Sequence, residues 1–255
     1  MSSASLTLRF ISRELRNRFA GSFSGGLWAL FQPLLQLAVY SFVFVHVFKA
    51  RIPGADAPGY VPFLVAALWP WTAFAEAVLR STTAIQDNAA LIGKVAVPHA
   101  LYVDTRVAGA ALVDLAGFGV VLAALPLSGV DLAWSGLPVL VPALATVALW
   151  GLAAARALAV LQVFLRDIAA VIGQLLTLGF FLTPVLYDRT SLPAGVADAL
   201  AFNPLAPPIE ALRAALTGAP VAWPALAASA LAGAGLLAAA TLFMRRARSH
   251  LEDFL

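Results

Sequence analysis

Residues 221–244 read "VAWPALAASALAGAGLLAAATLFM", a stretch that contains no charged side chain. A helix needs about 20 mainly apolar residues to cross the hydrocarbon core of a bilayer. The apolar residues here follow one another without a polar residue at every second position, which favours a helix over a barrel strand. The stretch therefore predicts a transmembrane helix and indicates an integral membrane protein.

Five further apolar runs precede this one, so the sequence predicts an all-α protein with six transmembrane helices. The chain has 255 residues, of which 62% are hydrophobic and 11% charged. A soluble domain is about 45–50% apolar and about 25% charged, so this surplus requires lipid as the solvent. The predicted spans are residues 27–48, 60–79, 107–127, 137–155, 168–187 and 221–244.

The distribution of Lys and Arg predicts the orientation of the chain. With the N-terminus in the cytoplasm, 12 of the 16 basic residues fall on the cytoplasmic side. The remainder fall on the other side, and the positive-inside rule then places both termini in the cytoplasm. Because these flanking residues also explain the net charge of +3, we expect no nucleic-acid partner. The basic residues on the outer side are Lys49, Arg51, Arg189 and Arg213.

The segment before the first span, residues 1–22, has the pattern of an amphipathic helix. Leu8, Ile11, Leu15 and Phe19 lie on one helical face, and arginines lie on another. This pattern predicts a helix in the membrane interface, with its arginines near anionic headgroups. The alternative is an ordinary positive anchor for the first span. The arginines on the polar face are Arg9, Arg13 and Arg16.

The segment between the fifth and sixth spans, residues 188–220, is long and only partly polar. It contains two short helix-like stretches, and apolar residues such as Phe202 and Ile209 are unsuited to a freely solvated loop. We predict re-entrant helices that dip toward the outer leaflet, because irregular backbone at membrane depth must be buried by protein. A small external cap is the alternative.

The sequence contains no motif for catalysis or nucleotide binding. Residues 88–98 read "NAALIGKVAVP", in which Gly93 and Lys94 look like part of a phosphate loop. A P-loop requires Ser or Thr after the lysine and an earlier glycine, whereas Val95 and Asn88 occupy those positions. There is no cysteine and the three histidines lie far apart, so we expect no metal site.

Charged residues inside the predicted spans are the most informative polar groups, because charge is costly in lipid. Asp114 lies within the third run, and Arg156 ends the fourth. Glu76 and Arg80 are four residues apart in the second run, where they can pair on one helix face. A proton-coupled carrier uses such groups, but pairing between helices is the preferred interpretation.

Five segments together resemble the permease subunit of polysaccharide-exporting ABC transporters, which export lipid-linked O-antigen, capsule or teichoic-acid polymers. The resemblance covers nearly the whole chain and implies a single exporter transmembrane domain over residues 1–255 in the cytoplasmic (inner) membrane. The segments are "RELRNRFAGSFSGGLWALFQPLLQLAVYSFVF" from residue 13, "PWTAFAEAVLRSTTAIQDNAALIGKVAVP" from 70, "FLRDI" from 164, "FFLTPVLY" from 180 and "NPLAPPIEALRAAL" from 203. The implied parts are an interfacial helix (1–22), spans one to five (23–187), an extracytoplasmic gate region (188–220), and span six with a cytoplasmic tail (221–255).

The resemblance implies that residues 88–98 form a cytoplasmic element that couples the chain to a separate ATPase subunit. We expect Asn88 to cap a short helix whose Leu91 and Ile92 enter a groove on that subunit. Lys94 would meet acidic or headgroup partners. ATP and Mg²⁺ would bind to the ATPase, and this chain would carry no cofactor and no catalytic residue. A weaker second contact is expected at "FLRDI", through Arg166 and Asp167.

The resemblance also implies that spans one, two and five line the pore. A sugar polymer needs a path that tolerates many sequences, and aromatic faces stack on sugar rings without fixed hydrogen bonds. Any single aromatic residue has an alternative role in facing lipid or forming an interfacial belt. The predicted path residues are Tyr40, Phe44, Trp69, Trp71, Phe181 and Tyr187.

An outer gate is predicted within residues 188–220. Asn203, Pro204 and Arg213 lie in the part that matches the family's "NPL…R" motif. Glu210 and Arg213 are three residues apart, so they can pair if the segment is helical. A lipid phosphate is the alternative partner for Arg213.

The resemblance also implies two copies of this chain with two ATPase subunits, since one six-span unit offers half a conduit. The function predicted from these features is ATP-driven export of lipid-linked polysaccharide across the cytoplasmic membrane. A permease for drugs or small lipids with the same plan is one alternative. A membrane enzyme or assembly scaffold that does not transport is an alternative of another class.

Overall fold

The computed structural model describes residues 3–19, 25–47, 57–92, 97–127, 129–251 and 254. Regular secondary structure among these residues is entirely helical, as the apolar runs predict. Short 3-10 turns at Gln86–Asn88, Trp134–Gly136 and Arg189–Ser191 join some of the helices. The α-helices are α1 (Ser3–Phe19), α2 (Gly25–Phe42), α3 (Ala57–Thr82), α4 (His99–Leu127), α5 (Leu137–Phe164), α6 (Ile168–Leu182), α7 (Ala194–Leu200), α8 (Ala206–Thr217) and α9 (Trp223–Leu251).

Four helices in the described part of the chain are long and apolar enough to cross a membrane. They are α3, α4, α5 and α9, and they match four of the six predicted spans. The helices at the other two positions are shorter. α2 has 18 residues and continues into a π-helical turn at Val43–Val47, and α6 is an apolar helix of 15 residues.

The helices α4 and α5 extend beyond the predicted spans. α4 begins at His99 rather than 107, and α5 runs to Phe164 rather than 155. The added turns carry charges that pair between helices. Arg156 of α5 makes two hydrogen bonds to the Asp104 carboxylate of α4, at 2.8 and 2.6 Å. Because these charges are paired, the helices continue where the apolar pattern stops.

The helix α3 is the centre of the bundle. It packs against α2, α4, α5, α6 and α8. In the most apolar stretch of α3, 67% of the residues are buried. In the corresponding stretches the buried share is 28% for α4, 28% for α5 and 22% for α9. The side chains from Leu64 to Trp69 have almost no exposed surface. α3 is therefore surrounded by protein, whereas much of the surface of α4, α5 and α9 is left to face lipid.

The two ends of the bundle differ in composition. The basic end is the end that carries α1, the segment from Thr83 to Ile92, the turn from α5 to α6, and the C-terminus of α9. The opposite end carries α7, α8 and the turn from α4 to α5. There Gly136 allows a close approach, because a Cβ at this position would overlap the carbonyl group of Ala215 in α8.

The structure confirms the two short helices predicted within residues 188–220. They are α7 and α8, and α8 ends at Gly218, which has a φ of 76°. α8 is amphipathic, and its apolar residues Ile209, Leu212 and Leu216 are almost completely buried. They join the same core cluster as α3, so the segment packs against the bundle rather than forming a solvated loop.

Candidate functional site

A cleft of about 760 Å³ opens between α2, α3 and α6, the helices at the positions of predicted spans one, two and five. Part of its lining is polar: Gln32 and Gln36 come from α2, Thr72 and Glu76 from α3, and Thr177 from α6. The same cleft contains a group of aromatic side chains. Those aromatic residues are Trp28, Tyr40, Trp71, Phe180 and Phe181.

Four of these five aromatic residues, all except Trp28, are packed against one another. Tyr40 and Phe180 are stacked with their ring centroids 5.8 Å apart, and Trp71 lies 6.3 Å from Phe180. Phe181 meets Phe180 edge to face at 5.2 Å. Gly179 makes room for the indole, because a Cβ there would lie 3.0 Å from the Trp71 ring. The cleft therefore has a continuous aromatic surface contributed by three helices.

Half of the predicted path residues lie on this cleft, and half do not. Tyr40, Trp71 and Phe181 line it, and Phe181 is 60% exposed. Phe180 also lines the cleft although it was not among the chosen residues. Its neighbour in sequence was chosen, and a run of two aromatic residues does not show which one faces a cavity.

The other three predicted path residues have partners elsewhere. Trp69 is buried and donates its indole N–H to the backbone oxygen of Asp114 at 3.0 Å, because a buried indole needs an acceptor. Phe44 stacks on Tyr60 at 5.8 Å. The hydroxyl of Tyr187 donates to the backbone oxygen of Phe181 at 2.8 Å. All three residues lie outside the lining of the cleft.

Charged residues gather where the cleft approaches the basic end. Arg18 of α1 pairs with Glu76 at 2.9 Å, and Arg80 pairs with Glu14 of α1 at 3.0 Å. The pair expected within α3, Glu76 with Arg80, is present but longer, at 3.8 Å. Asp114 is 5% exposed, and its Oδ2 has no hydrogen-bond partner among the described residues. The charges thus pair mainly between helices, as the sequence indicated.

The position of Asn88 differs from the prediction. Its side chain does not cap the turn that follows it. Its amide donates to the backbone oxygen of Ala84 at 2.8 Å, and its Oδ1 accepts from Arg13 of α1 at 3.1 Å. Asn88 is the last residue of the turn at Gln86–Asn88, and the backbone oxygen of Ala84, four residues earlier, lies within reach of its amide.

Residues 89–92 form turns in place of the predicted short helix. The backbone N–H groups of Leu91 and Ile92 donate to the oxygen of Asn88 at 2.9 and 3.2 Å. Ile92 packs on a buried cluster at the basic end, and Leu91 is half-buried without joining it. Lys94 lies outside the described residues.

Two buried or half-buried glutamines join the segments predicted to contact the ATPase. Gln86 donates to the backbone oxygen of Gln162 at 2.9 Å, and Gln162 donates to Oε1 of Gln86 at 3.1 Å. Gln162 also donates to the backbone oxygen of Arg166 and accepts from the N–H of Ala169. Arg166 and Asp167 are exposed on this turn. Sequence reasoning missed the glutamines, since they lie 76 residues apart.

The helix α1 is fastened to the basic end by ion pairs. Glu14 accepts from Arg80 and lies 3.7 Å from Arg106 of α4. Arg106 pairs with Asp87 at 2.8 Å, so it joins α1 to the segment beside Asn88. Leu8, which is 67% exposed, lies with Ile11 and Leu15 along an open groove on the outer side of α1.

This placement agrees with the predicted amphipathic helix, which is observed over Ser3–Phe19. Along the outer groove Leu8 is exposed, and Ile11 and Leu15 are half-buried. The predicted polar-face residues are all exposed, and Arg16 borders the groove. These residues are Arg9, Arg13 and Arg16.

The predicted pair between Glu210 and Arg213 does not form. Glu210 pairs instead with Arg189 at 2.9 Å. The guanidinium of Arg213 is buried over the Phe63 ring, 3.5 Å from its centroid, and donates to the backbone oxygen of Val185 at 2.7 Å. A helical turn places the two side chains on neighbouring faces, but backbone carbonyls of the chain that follows α6 satisfy more of the guanidinium donors.

The same guanidinium makes two longer hydrogen bonds, to the backbone oxygens of Tyr187 and Phe63, at 3.2 and 3.4 Å. Burial lowers the pKa of the Arg213 guanidinium, and the nearby carboxylates of Asp188 and Glu210 oppose that shift. Arg213 therefore links α8 to α3 and to the chain that follows α6 through hydrogen bonds.

Asn203 and Pro204 join the start of α8 to its surroundings. The amide of Asn203 donates to the hydroxyl of Thr183 at 2.8 Å, and its Oδ1 accepts from the N–H of Leu205 at 2.9 Å. The backbone oxygen of Pro204 accepts from the hydroxyl of Ser229 in α9 at 2.6 Å. The predicted gate residues thus connect the ends of α6, α8 and α9.

These features define a polytopic helical membrane protein with a half-enclosed aromatic cleft and two linked turns at its basic end. The chain belongs to the ABC-2 type transporter family, whose model matches residues 6–217.

Two relatives carry the same descriptive name. The chain is 32% identical over 258 residues to the O-antigen export system permease protein RfbA of Myxococcus xanthus, covering 97% of this chain and 95% of that protein. It is 29% identical over 205 residues to the O-antigen export system permease protein RfbA of Klebsiella pneumoniae, covering 79% of this chain and 76% of that protein.

Proposed function

We propose that this chain is the membrane permease of an ATP-driven exporter that moves a lipid-linked polysaccharide of the O-antigen type across the cytoplasmic membrane. The observation that carries the proposal is the aromatic cleft between α2, α3 and α6. Its stacked rings suit a polymer that must slide, because stacking on a sugar face does not depend on a fixed set of hydrogen bonds. The permeases named above give the cargo class.

The proposed assembly contains two copies of this chain and two ATPase subunits. The cleft is lined mainly by α2, α3 and α6, with Arg18 of α1 and Asp114 of α4, and the described part of the chain encloses it only in part. A second copy that presents the same cleft would complete a conduit by two-fold symmetry. ATP and Mg²⁺ bind to the ATPase subunits in this proposal, since the sequence contains no P-loop.

The proposed topology has six spans, with both termini in the cytoplasm. The basic end then faces the cytoplasm, in agreement with the positive-inside rule. α2 with its π-helical turn and α6 complete the set of six. α6 is short for a full crossing, and the chain from Thr183 to α8 continues its path toward the outer surface. α1 lies in the interface with Leu8, Ile11 and Leu15 toward the lipid.

The proposed contact with the ATPase includes both turns at the basic end. Leu91 is half-buried and outside the core clusters, so it is available to a groove on the partner. Arg166 and Asp167 are exposed on the neighbouring turn. Because Gln86 and Gln162 bond these turns together, the partner would move them as one unit. Lys94 is proposed to contact acidic groups or headgroups beside them.

The proposed outer gate comprises α7 and α8. Asn203 attaches α8 to the last residue of α6 through the backbone oxygen of Leu182 and to the hydroxyl of Thr183, and Arg213 donates to the backbone oxygen of Val185 just beyond. A shift of α6, which carries Phe180 and Phe181, would therefore carry α8 with it. This arrangement favours a gate that moves as a rigid unit over a gate in which α8 moves alone.

Deletion of the gene in its host tests the proposed cargo. We expect surface polysaccharide to disappear and polymer that has not been exported to accumulate on the cytoplasmic side. Complementation with the wild-type gene should restore export. Normal surface polysaccharide in the deletion strain, together with increased sensitivity to a drug, would favour the drug-exporter alternative. Co-purification with the ATPase and mass measurement of the complex tests the proposed ratio of two to two.

A further inference from the structure

A second groove lies between α5 and α9 and shares no residue with the aromatic cleft. The two helices run side by side in the same direction. Trp150 of α5 bonds Ser229 of α9, and one turn further a Cβ at Gly233 would lie 3.2 Å from Leu149. Beyond this close contact the small side chains of α9, beginning with Ala234, leave a groove of about 440 Å³.

The groove is apolar along most of its length and charged at one end. Leu149, Ala234, Leu237 and Ala238 form the apolar part. The polar residues are confined to the basic end of the bundle. They are Arg156, Thr241 and Arg245.

The charges at that end leave one cation in excess. The guanidinium of Arg156 is held by Asp104 and donates to the hydroxyl of Thr241 at 2.7 Å. The charge of Arg156 is thus balanced by Asp104. Arg245 is exposed and forms no ion pair with any residue that the structure describes. The groove therefore presents a net positive charge beside a strip of apolar surface.

We propose that this groove binds one anionic phospholipid. An acyl chain would lie along Leu149, Leu237 and Ala238, and the phosphate would contact Arg245 and the remaining N–H groups of Arg156. Basic pockets between transmembrane helices bind anionic headgroups through the same combination of charge and apolar surface. A molecule with one charged end and a long apolar remainder matches the separation of charge and apolar surface along this groove. The site does not depend on which cargo the protein exports.

The test uses the purified full-length chain in mild detergent and native mass spectrometry with added lipid. Phosphatidylglycerol is the anionic probe, phosphatidylcholine the zwitterionic one, and inorganic phosphate the free anion. We expect the wild type to retain phosphatidylglycerol in preference to phosphatidylcholine. Inorganic phosphate should not displace it, because the apolar contact belongs to the acyl chain.

Two variants and a matched control locate the site. Arg245→Gln should weaken phosphatidylglycerol binding about fivefold, the loss expected for one arginine near an anionic headgroup. Arg246→Gln removes the same charge from a side chain that does not line the groove, and binding should stay as in the wild type. Ala238→Phe fills the groove at an exposed position and should reduce the binding of both lipids with Arg245 intact.

Four results would overturn the proposal. Equal losses in Arg245→Gln and Arg246→Gln would show diffuse surface charge in place of a site. Displacement by inorganic phosphate would show a free-anion site. If folded Ala238→Phe protein bound the lipid as tightly as the wild type, the groove would be excluded as the lipid site. Loss of the lipid when the ATPase or a second copy binds would make this groove a protein interface. If Ala238→Phe does not fold, the comparison of Arg245→Gln with Arg246→Gln decides alone.

Discussion

Gln86 and Gln162 exchange hydrogen bonds across the basic end of the bundle, at 2.9 and 3.1 Å. Gln86 belongs to the segment after α3, and Gln162 lies in the last turn of α5. Gln162 is 4% exposed, and all its polar atoms are used, because it also bonds the chain that enters α6. A contact made by a partner at either turn is therefore transmitted to the other.

Gln162→Leu should weaken the link between the two turns. The substitution keeps a similar volume and the backbone oxygen that accepts from Gln86, but it leaves Oε1 of Gln86, the backbone oxygen of Arg166 and the N–H of Ala169 without partners. Each such buried group costs about 1–3 kcal/mol. We expect a lower apparent melting temperature in detergent, measured by tryptophan fluorescence. We also expect weaker stimulation of the partner's ATPase activity. Gln174→Leu, at an exposed position of α6, is the control. Equal effects of the two substitutions would contradict the link.

Leu91→Asp should abolish binding of the ATPase subunit while the chain still inserts and folds. A charge placed in an apolar groove costs several kcal/mol when it has no partner. Lys94→Ala should have a much smaller effect, because an exposed ion pair contributes about 0–1 kcal/mol. Co-purification of the partner and substrate-stimulated ATP hydrolysis measure both effects.

The structure also sharpens the choice of residue for that experiment. Ile92 packs on a core cluster of this chain, so Ile92→Asp should lower the stability of the chain itself. Leu91 separates binding from folding. If Lys94→Ala had the larger effect on partner binding, recognition of charge would replace the apolar contact. If neither change mattered, Arg166 and Asp167 would become the better candidates.

The sequence predicted the elements that depend on local composition. Long apolar runs located α3, α4, α5 and α9, and the spacing of Leu8, Ile11 and Leu15 located α1. The predicted start of α4 and the predicted end of α5 were wrong by about two to three turns. The charged extensions of these helices are stabilised by partners on another helix. The pair of Arg156 and Asp104 has no local signature in the sequence.

The sequence also did not predict contacts between distant segments at the candidate site. The choice of spans one, two and five placed Tyr40, Trp71 and Phe181 on one cleft. Trp69 lies two residues before Trp71 and faces the core, since residues two apart on a helix point in different directions. Arg213 was assigned a carboxylate partner by spacing alone, whereas its partners are backbone carbonyls more than 20 residues away.

Arg213→Met should strongly destabilise the outer end of the bundle. The substitution removes the donors to Val185 and Tyr187, and each buried carbonyl left without a donor costs about 1–3 kcal/mol. Arg189→Gln breaks only a partly exposed pair with Glu210, for which about 0–1 kcal/mol is expected. Limited proteolysis of the segment around α7 and thermal unfolding give the comparison. A larger effect of Arg189→Gln would show that the hydrogen bonds of Arg213 do not stabilise the outer end of the bundle.

Trp71→Ala should lower the export rate per folded chain. Because Trp71 is 6% exposed, the substitution also costs about 3–5 kcal/mol of stability, and the amount of folded chain is measured alongside export. Trp71 joins the stacked surface of the cleft through Phe180, and its removal interrupts the path for sugar rings. Trp134→Ala is the control, since Trp134 is 65% exposed in the turn between α4 and α5 and does not line the cleft. Delivery of labelled polymer into the medium or onto the cell surface measures the rate. Equal rates in both variants would remove Trp71 from the path.

The position of α1 against α4 gives a reversible test of its motion. A Cβ at Gly109 would lie 3.7 Å from the Cβ of Glu14, which is within the range found across disulfides, about 3.5–4.5 Å. The chain has no cysteine, so Glu14→Cys with Gly109→Cys introduces a unique pair. Oxidation of this double variant should fix α1 on α4.

We expect oxidation to stop export in inverted vesicles and reduction to restore it. The physical reason is that α1 joins the turn at Gln86–Asn88 to the cleft: Arg13 donates a hydrogen bond to Asn88, and Arg18 pairs with Glu76 in the lining of the cleft. If the ATPase displaces this turn, as proposed, α1 must shift relative to α4 to pass that displacement on. The reduced double variant controls for the loss of the Glu14 carboxylate, and each single variant controls for the oxidant. Unchanged export by fully cross-linked protein would show that α1 is a static anchor, and the displacement would then have to reach the cleft through α3 itself.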